Sequence, residues 1–271
     1  MTNQLFINKK INTFDKKIVV SGDKSLSIRW VLLASQAIGK SRSYNLLMSE
    51  DVVAALEAIK KLGIKVIVRK DHCEIYGKGI NNFKYKSGLV IDSKNSGTLG
   101  RLILGLLIKS PIKIKIIGDK SLSKRDFSRV TVPLEKFGAR FFYKVKNKLP
   151  LSILGFQSLK GINYVENKGS AQCKSSIMLA ALNSSGTTSI KAKKSRNHTE
   201  LLFKYLKIPI KVRKTKKFDF IDIKKPKKIN AFNYQIPGDI SSSAFFIVLT
   251  TLADNSKLLI KNVNINPSRV G

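Results

Sequence analysis

The chain is short of several residue types, and each shortage closes off a class of protein. It has two cysteines, Cys73 and Cys173, far apart and outside any CxxC pair. That spacing excludes a disulfide framework and a thiolate metal site, leaving two ordinary reduced thiols. His72 and His198 are the only histidines, and neither has a partner at ligand spacing, so no metal centre is expected. No run of about 18 apolar residues occurs, which excludes a spanning helix, and the opening MTNQLFINKK lacks the apolar core of a secretory signal. A folded, soluble, cytoplasmic protein is the expectation. Acidic residues are scarce as well: 17 Asp and Glu face 51 Lys and Arg, for a formal charge of +34.

A basic excess of this size ordinarily points to nucleic acid. Here only ten of the cations are arginine, and the lysines are spread along the whole chain among many Asn and Ile, as codon bias in a low-GC genome would produce. The clusters KAKK (191–194), KTKK (214–217) and KKPKK (224–228) lie between periodic segments and read as solvated loops or helix ends. A positive field attracts small phosphorylated metabolites too. Charge alone therefore leaves both an enzyme of anionic substrates and a basic nucleic-acid-binding protein open. With 271 residues, 43% of them hydrophobic, the chain can bury a substantial core.

One pattern is repeated four times: a small or polar cluster, an apolar helix of about a dozen residues, then a β-rich run. The helices open at Asp23-Lys24-Ser25, Asn95-Ser96-Gly97-Thr98, Ser170-Ala171-Gln172 and Asp239-Ile240-Ser241-Ser242, 69 to 75 residues apart. Each opening offers Ser, Thr, Asp or Asn as a cap. A second helix recurs at 49–63, 128–138 and 196–206, with apolar residues at i, i+3, i+4. KVIV, ARFFYKV, IPIKV, GLVI, IKIKII and KLLIKNV read as strands. The unit is an α/β module of roughly seventy residues, too long for a solenoid repeat. The fourth unit stops at NPSRVG, where its second helix is due; the expectation is a chain cut within a module, with apolar surface left exposed.

Four segments carry chemistry. SGDKSLSIR (21–29) sets Lys24, Ser25 and Arg29 at a helix start, where free N–H groups and the macrodipole favour an anion. DSKNSGTLGR (92–101) turns into a helix with Asn95, Gly97, Thr98 and Arg101. GDKSLSKRDFSRV (118–130) supplies Lys124, Arg125 and Arg129, and GSAQCKSS (169–176) supplies Ser170, Gln172 and Lys174. Each segment alone reads equally well as a capped helix or a solvated charge run. Matching helix starts that carry these groups could converge on one cleft, and that raises the case for an anion site.

These segments resemble, in order, motifs of the 5-enolpyruvylshikimate-3-phosphate synthase family. SGDKSLSIR resembles PG(D/S)KS-x-S-x-R, DSKNSGTLGRLILGLL resembles GNSGT-x-x-R-L, and GDKSLSKR resembles GD-x-S-L-x-x-R-P. SAQCKSSIMLAAL with SRNHTE is similar to the SAQ-x-KS and (S/T)RDHTE pair, and IPGDISSSAFF with NINPSR to the crossover between domains. The resemblance implies an α/β (α+β) enolpyruvyl transferase fold of repeated βαβαββ-like units around a pseudo-threefold axis, in two domains with the second incomplete here. Residues 1–20 would be the first strand of the second domain, 21–236 the first, substrate-binding domain of three units, and 237–271 the crossover and start of the second.

The family reaction moves the enolpyruvyl group of phosphoenolpyruvate to the 5-hydroxyl of shikimate 3-phosphate and releases phosphate, without metal or organic cofactor, on the route to chorismate and the aromatic amino acids. Carried over motif by motif, Lys24 would be catalytic and touch both substrates. Shikimate 3-phosphate would be held by Lys24, Ser25, Arg29, Ser170, Ala171, Gln172 and Arg196, and phosphoenolpyruvate by Lys24, Asn95, Gly97, Thr98, Arg125 and Gln172. The partners implied are these two anions, with no specific nucleic acid, no membrane and a monomeric chain. Gly97, where tolerant members have Ala, leans toward glyphosate sensitivity. The family's general acid–base Asp and Glu would lie beyond Gly271, and Asp239 is not that Asp, because its GD pair belongs to the crossover. Lys94 and Asp126 replace the family's Gly and Pro, so both of those turns are expected to be altered, and Asn197 replaces the family's Asp. The competing readings are a basic nucleic-acid-binding protein, a catalytically dead fragment, and UDP-N-acetylglucosamine enolpyruvyl transferase. That last family has an asparagine after the first lysine, where this chain has Ser25, and a loop cysteine in a different context.

Overall fold

The computed structural model describes residues 11–270. Residues 1–10 of the expected first strand, and Gly271, lie outside the described residues. Strand β1 (Asp15–Val19) precedes three α/β modules. The first contains helix α1 (Lys24–Gln36), strand β2 (Ile38–Tyr44), helix α2 (Glu50–Lys61) and strands β3 (Lys65–Val68) and β4 (His72–Lys78). The second runs β5 (Val90–Asp92), α3 (Gly97–Leu106), β6 (Ile114–Ile117), the single-turn α4 (Lys120–Ser123), α5 (Ser128–Glu135), β7 (Arg140–Tyr143) and β8 (Leu151–Leu154). The third runs β9 (Asn163–Glu166), α6 (Ala171–Ala181), β10 (Thr187–Lys193), α7 (His198–Tyr205), β11 (Ile210–Lys214) and β12 (Phe218–Lys224). Strand β13 (Asn233–Gln235), helix α8 (Ile240–Leu252) and strand β14 (Lys257–Lys261) follow.

Each module has one four-stranded sheet. Modules two and three are ordered β5-β6-β8-β7 and β9-β10-β12-β11, with a parallel outer pair and two antiparallel pairs. The first sheet has the same plan, β13-β2-β4-β3, but its parallel outer strand arrives from far along the chain. The strand directly before α1, β1, instead pairs in parallel with β14, register Asp15 with Lys257. Two strands that each lead into a helix have therefore exchanged partners.

Burial explains the layering. Helices α1, α3 and α6 are covered on nearly every side, as helices apolar all round must be. Helices α2 and α7 bury one stripe. Strand β10 alternates buried and exposed side chains with the period of two expected of a half-covered sheet. The core runs through Trp30, Ile103, Phe127, Met178 and Phe203, all without solvent contact; side chains of this size each contribute about 1.5–3 kcal/mol on burial. Helix α8 is as apolar, yet only Ser243 on it is buried, and Phe245 is 80% exposed. Among the described residues no helix is long and apolar enough to cross a membrane.

Candidate anion-binding site

The three central helices begin at one end of the molecule, and each start is fixed by its own first residue. Asp23, Ser96 and Ser170 accept from the N–H groups of Leu26, Leu99 and Cys173 at 3.0, 3.2 and 3.2 Å, a side-chain cap worth about 1 kcal/mol. Side chains then lace the starts together. Gln172 Nε2 donates to Thr98 Oγ1 at 3.0 Å, joining α6 to α3, and Gln172 Oε1 accepts from Arg101 Nη1. Arg29 Nη2 donates to Ser175 Oγ at 3.0 Å, joining α1 to α6, and Arg29 Nε donates to Thr199 Oγ1 at 2.8 Å, reaching α7. The first turns of three helices are thus held side by side, and free N–H groups at helix starts favour phosphate and carboxylate.

Cations surround that region. Arg125 stands beside the start of α3: its Nη2 donates to Asn95 Oδ1 at 3.4 Å, and its Nη1 would lie 3.2 Å from a Cβ placed on Gly97. Arg196, just before α7, is exposed, as is Lys24, whose Nζ lies 3.3 Å from Asp51 Oδ2. Ser25, Ser170, Ala171 and Gln172 are half-buried at their helix starts. Arg29 differs from the rest of the carried-over set. It is 4% exposed and spends its donors on Thr199, Ser175 and the Ser25 carbonyl, so it underpins the floor of the site.

The cations repel one another. Burial, followed by the charges of Arg129 and Arg125, lowers the pKa of Arg101. Burial likewise brings Arg29 down to about 10, with Arg196 and Arg269 also lowering it while Glu200 and Asp23 oppose the shift. His198 is driven down to about 3 by burial, then Arg29, Arg269 and Arg196, and is neutral at any physiological pH. Two foci of positive charge result: Arg101, Arg125 and Arg129 around α3 and α5, and Arg29 with Arg196 between α1 and α7, where Glu200 and Asp23 offset part of the charge. An anion beside Arg101, Arg125 and Arg129 would relieve their mutual repulsion. Among the described residues no three His, Cys, Asp or Glu side chains cluster at metal-ligand range. A concavity of about 520 Å³ lies elsewhere, on the third sheet between Lys191, Arg213 and Phe220.

The chain matches the family model described as EPSP synthase (3-phosphoshikimate 1-carboxyvinyltransferase) over residues 8–271. It is 37% identical over 264 residues to the 3-phosphoshikimate 1-carboxyvinyltransferase of Bacillus subtilis (strain 168), covering 97% of this chain and 60% of that protein. It is 40% identical to the same enzyme of Ruthia magnifica subsp. Calyptogena magnifica, covering 98% and 60%. The chain belongs to the EPSP synthase family. The crystal structure of EPSP synthase from Acinetobacter baumannii superimposes with a TM-score of 0.86 at 33% identity, over 95% of this chain and 58% of that one. The enolpyruvyl transferase fold implied by the motifs is therefore the fold of this chain. It spans about 60% of the length of the curated relatives it matches.

At the three positions that depart from the EPSP synthase motifs, the side chains present make definite contacts. Lys94 holds the left-handed backbone (φ +50°) that favours Gly, with its N–H on Asp92 Oδ1 at 2.8 Å and its carbonyl receiving Asp119 N–H at 2.9 Å. Asp126, in place of Pro, accepts from Ser128 N–H and Oγ at 2.8 and 2.6 Å just before α5, while its own carbonyl takes Arg101 Nη2. Asn197 accepts from Asn266 Nδ2 and Ser268 Oγ, contacts a neutral amide makes as readily as a carboxylate. Each departure from the motif thus brings its own hydrogen bonds to the turn that carries it. Arg101 and Asp51 belong to the constellation but were absent from the carried-over set. The signal for Arg101 was its place one turn after Thr98, whereas nothing local marks Asp51, which a second helix brings to Lys24.

Proposed function

We propose that this chain carries the substrate-holding part of an enolpyruvyl transferase that joins phosphoenolpyruvate to the 5-hydroxyl of shikimate 3-phosphate and releases phosphate. The observation that carries this reading is the side-chain lacing of three capped helix starts beside two groups of arginines, Arg101 with Arg125 and Arg129, and Arg29 with Arg196. Such a surface suits two small anions, each with a phosphate and a carboxylate. In this reading Lys24 lies between the substrates. Phosphoenolpyruvate takes the focus at Gly97, Thr98, Asn95, Gln172 and Arg125, and shikimate 3-phosphate takes that at Ser25, Ser170, Ala171, Gln172 and Arg196, over the buried Arg29. Residues 21–236 form the substrate-binding domain, with residues 1–20 and 237–271 assigned to the second. The protein acts as a cytoplasmic monomer, without metal or cofactor.

The test is calorimetric titration of the 271-residue polypeptide with shikimate 3-phosphate, with and without phosphoenolpyruvate. Weak binding that Lys24→Met abolishes is expected, together with no product formation, because the acid–base Asp and Glu implied by the family motifs are not among these residues. Absence of binding, or binding indifferent to Lys24→Met, would sink the site assignment, and product formation would overturn the division of labour. One feature favours a second reading, nucleic-acid binding: on the third sheet Lys191 lies 4.8 Å over the Phe218 ring and Arg213 lies 4.2 Å over Phe220. That reading predicts steeply salt-dependent binding of a single-stranded oligonucleotide, unaffected by Lys24→Met.

A further inference from the structure

The two segments that exchange strands cross at a pair of glycines. Gly22 and Gly238 face each other in an antiparallel bridge, with Asp23 N–H donating to Pro237 O at 2.8 Å and Asp239 N–H to Ser21 O at 2.9 Å. A Cβ on Gly22 would lie 2.0 Å from Asn45 O, and one on Gly238 2.6 Å from Val20 Cγ2; only glycine permits so close an approach. Each glycine is followed by an aspartate that caps a helix, Asp23 for α1 and Asp239 for α8.

One side chain spans both caps. Arg269 Nη1 donates to Asp23 Oδ2 and Nη2 to Asp239 Oδ1, both at 3.1 Å, and Nη2 also reaches Ser241 Oγ. The Arg269 side chain is 4% exposed, Asp23 not at all and Asp239 13%. Asn264 Nδ2 adds a third donor to Asp23. The node then reaches the site directly, because Lys24 N–H donates across the crossing to Asp239 Oδ2 at 3.3 Å. Two carboxylates buried this close together need a shared cation. A guanidinium offers donors at fixed, separate positions and so can hold both at once, whereas an ammonium is a single point of charge.

We propose that Arg269 is a positioning residue: by pinning both capping carboxylates it sets the relation between the start of α1, with Lys24 and Ser25, and the start of α8. The inference rests on the reading of Lys24 and Ser25 as ligand-holding groups. Arg269 itself touches no ligand in this arrangement. Its effect passes through Asp23 and Asp239.

The experiment compares the 271-residue wild type with Arg269→Lys, Arg269→Met and Lys24→Met, by calorimetry with shikimate 3-phosphate and by amide hydrogen exchange. Arg269→Lys and Arg269→Met are expected to weaken binding about tenfold, the worth of a charge-assisted bond. Both should raise exchange at Lys24, Leu26 and Ser241 while leaving Leu99 and Cys173 protected. Binding restored by lysine would show that charge alone suffices and overturn the proposal. So would exchange rising equally at Leu99 and Cys173, which marks general loosening. If the wild type does not bind, or Lys24→Met binds as the wild type does, the ligand assignment fails; the exchange pattern still decides whether Arg269 pins the two helix starts.

Discussion

Lys174 Nζ lies 2.5 Å from Glu200 Oε1, and the two side chains are 0% and 4% exposed. They tie α6 to α7 directly beneath the helix starts. Neither group makes a well-aligned hydrogen bond to another described residue, and each is the other's ion-pair partner among the described residues. Removing one member of such a pair strands a buried ion, at about 3–5 kcal/mol. Lys174→Met and Glu200→Leu should each lower the unfolding free energy measured in urea by that much, and the double replacement should recover most of the loss. A double variant as unstable as the sum of the singles would show that the ions act independently.

Lys174 and Glu200 also mark how far the sequence can be read. The caps at Asp23, Ser96 and Ser170 were legible because a cap is a local device, one side chain bonding an N–H three residues on. The same holds for the second helices, whose 3.6-residue period is written in consecutive residues. What a segment does after folding was not local. Nothing in SIRW marks Arg29 as a sealed strut; that follows from Ser175 and Thr199, 146 and 170 residues away. The exchange of β1 for β13 is equally silent in composition, since either strand would suit either sheet.

His198 provides a pH signature. Its ring nitrogens have no partner among the described residues, and burial among Arg29, Arg269 and Arg196 takes its pKa from 6.5 to about 3. Between those values the unfolded chain binds a proton that the folded chain does not. This contribution to stability is therefore complete above pH 6.5 and is lost as pH falls toward 3, at up to about 1.4 kcal/mol per pH unit. Denaturant unfolding at pH 7.5 and 5.0 should show a drop in the wild type that shrinks in His198→Phe. Because an apolar ring replaces two unpaired nitrogens, His198→Phe should cost little at pH 7.5. An identical pH dependence in both proteins would refute the assignment.

Lys94 keeps a glycine conformation at a cost. A non-glycine residue at φ +50° is strained by about 1 kcal/mol, offset in small part by the exposed, solvent-screened Lys94–Asp92 ion pair at 3.0 Å. Lys94→Gly removes both and frees the unfolded chain. Thermal unfolding should therefore change by no more than about 1 kcal/mol, with the gain growing at high salt, where the ion pair is screened. A large loss that salt does not alter would mean that Lys94 supports the turn by something other than backbone geometry and charge.

Gly97→Ala separates the two proposed anion foci. The added methyl would sit 3.2 Å from Arg125 Nη1, 3.6 Å from Leu122 Cδ1 and 3.7 Å from Arg101 Nη1. Only the first is tighter than ordinary contact, and a guanidinium tip can give way by a few tenths of an ångström. The fold should thus be unharmed, and alanine near the start of α3 is neutral or slightly favourable. Displacing Arg125 acts on one focus alone, because Arg196 and Ser25 belong to the other. Titrations should show phosphoenolpyruvate, and the analogue glyphosate, bound several-fold more weakly, with shikimate 3-phosphate affinity unchanged. Equal weakening of both ligands would mean that the helix starts form one undivided site, and the allocation of Arg125 to phosphoenolpyruvate would have to be given up.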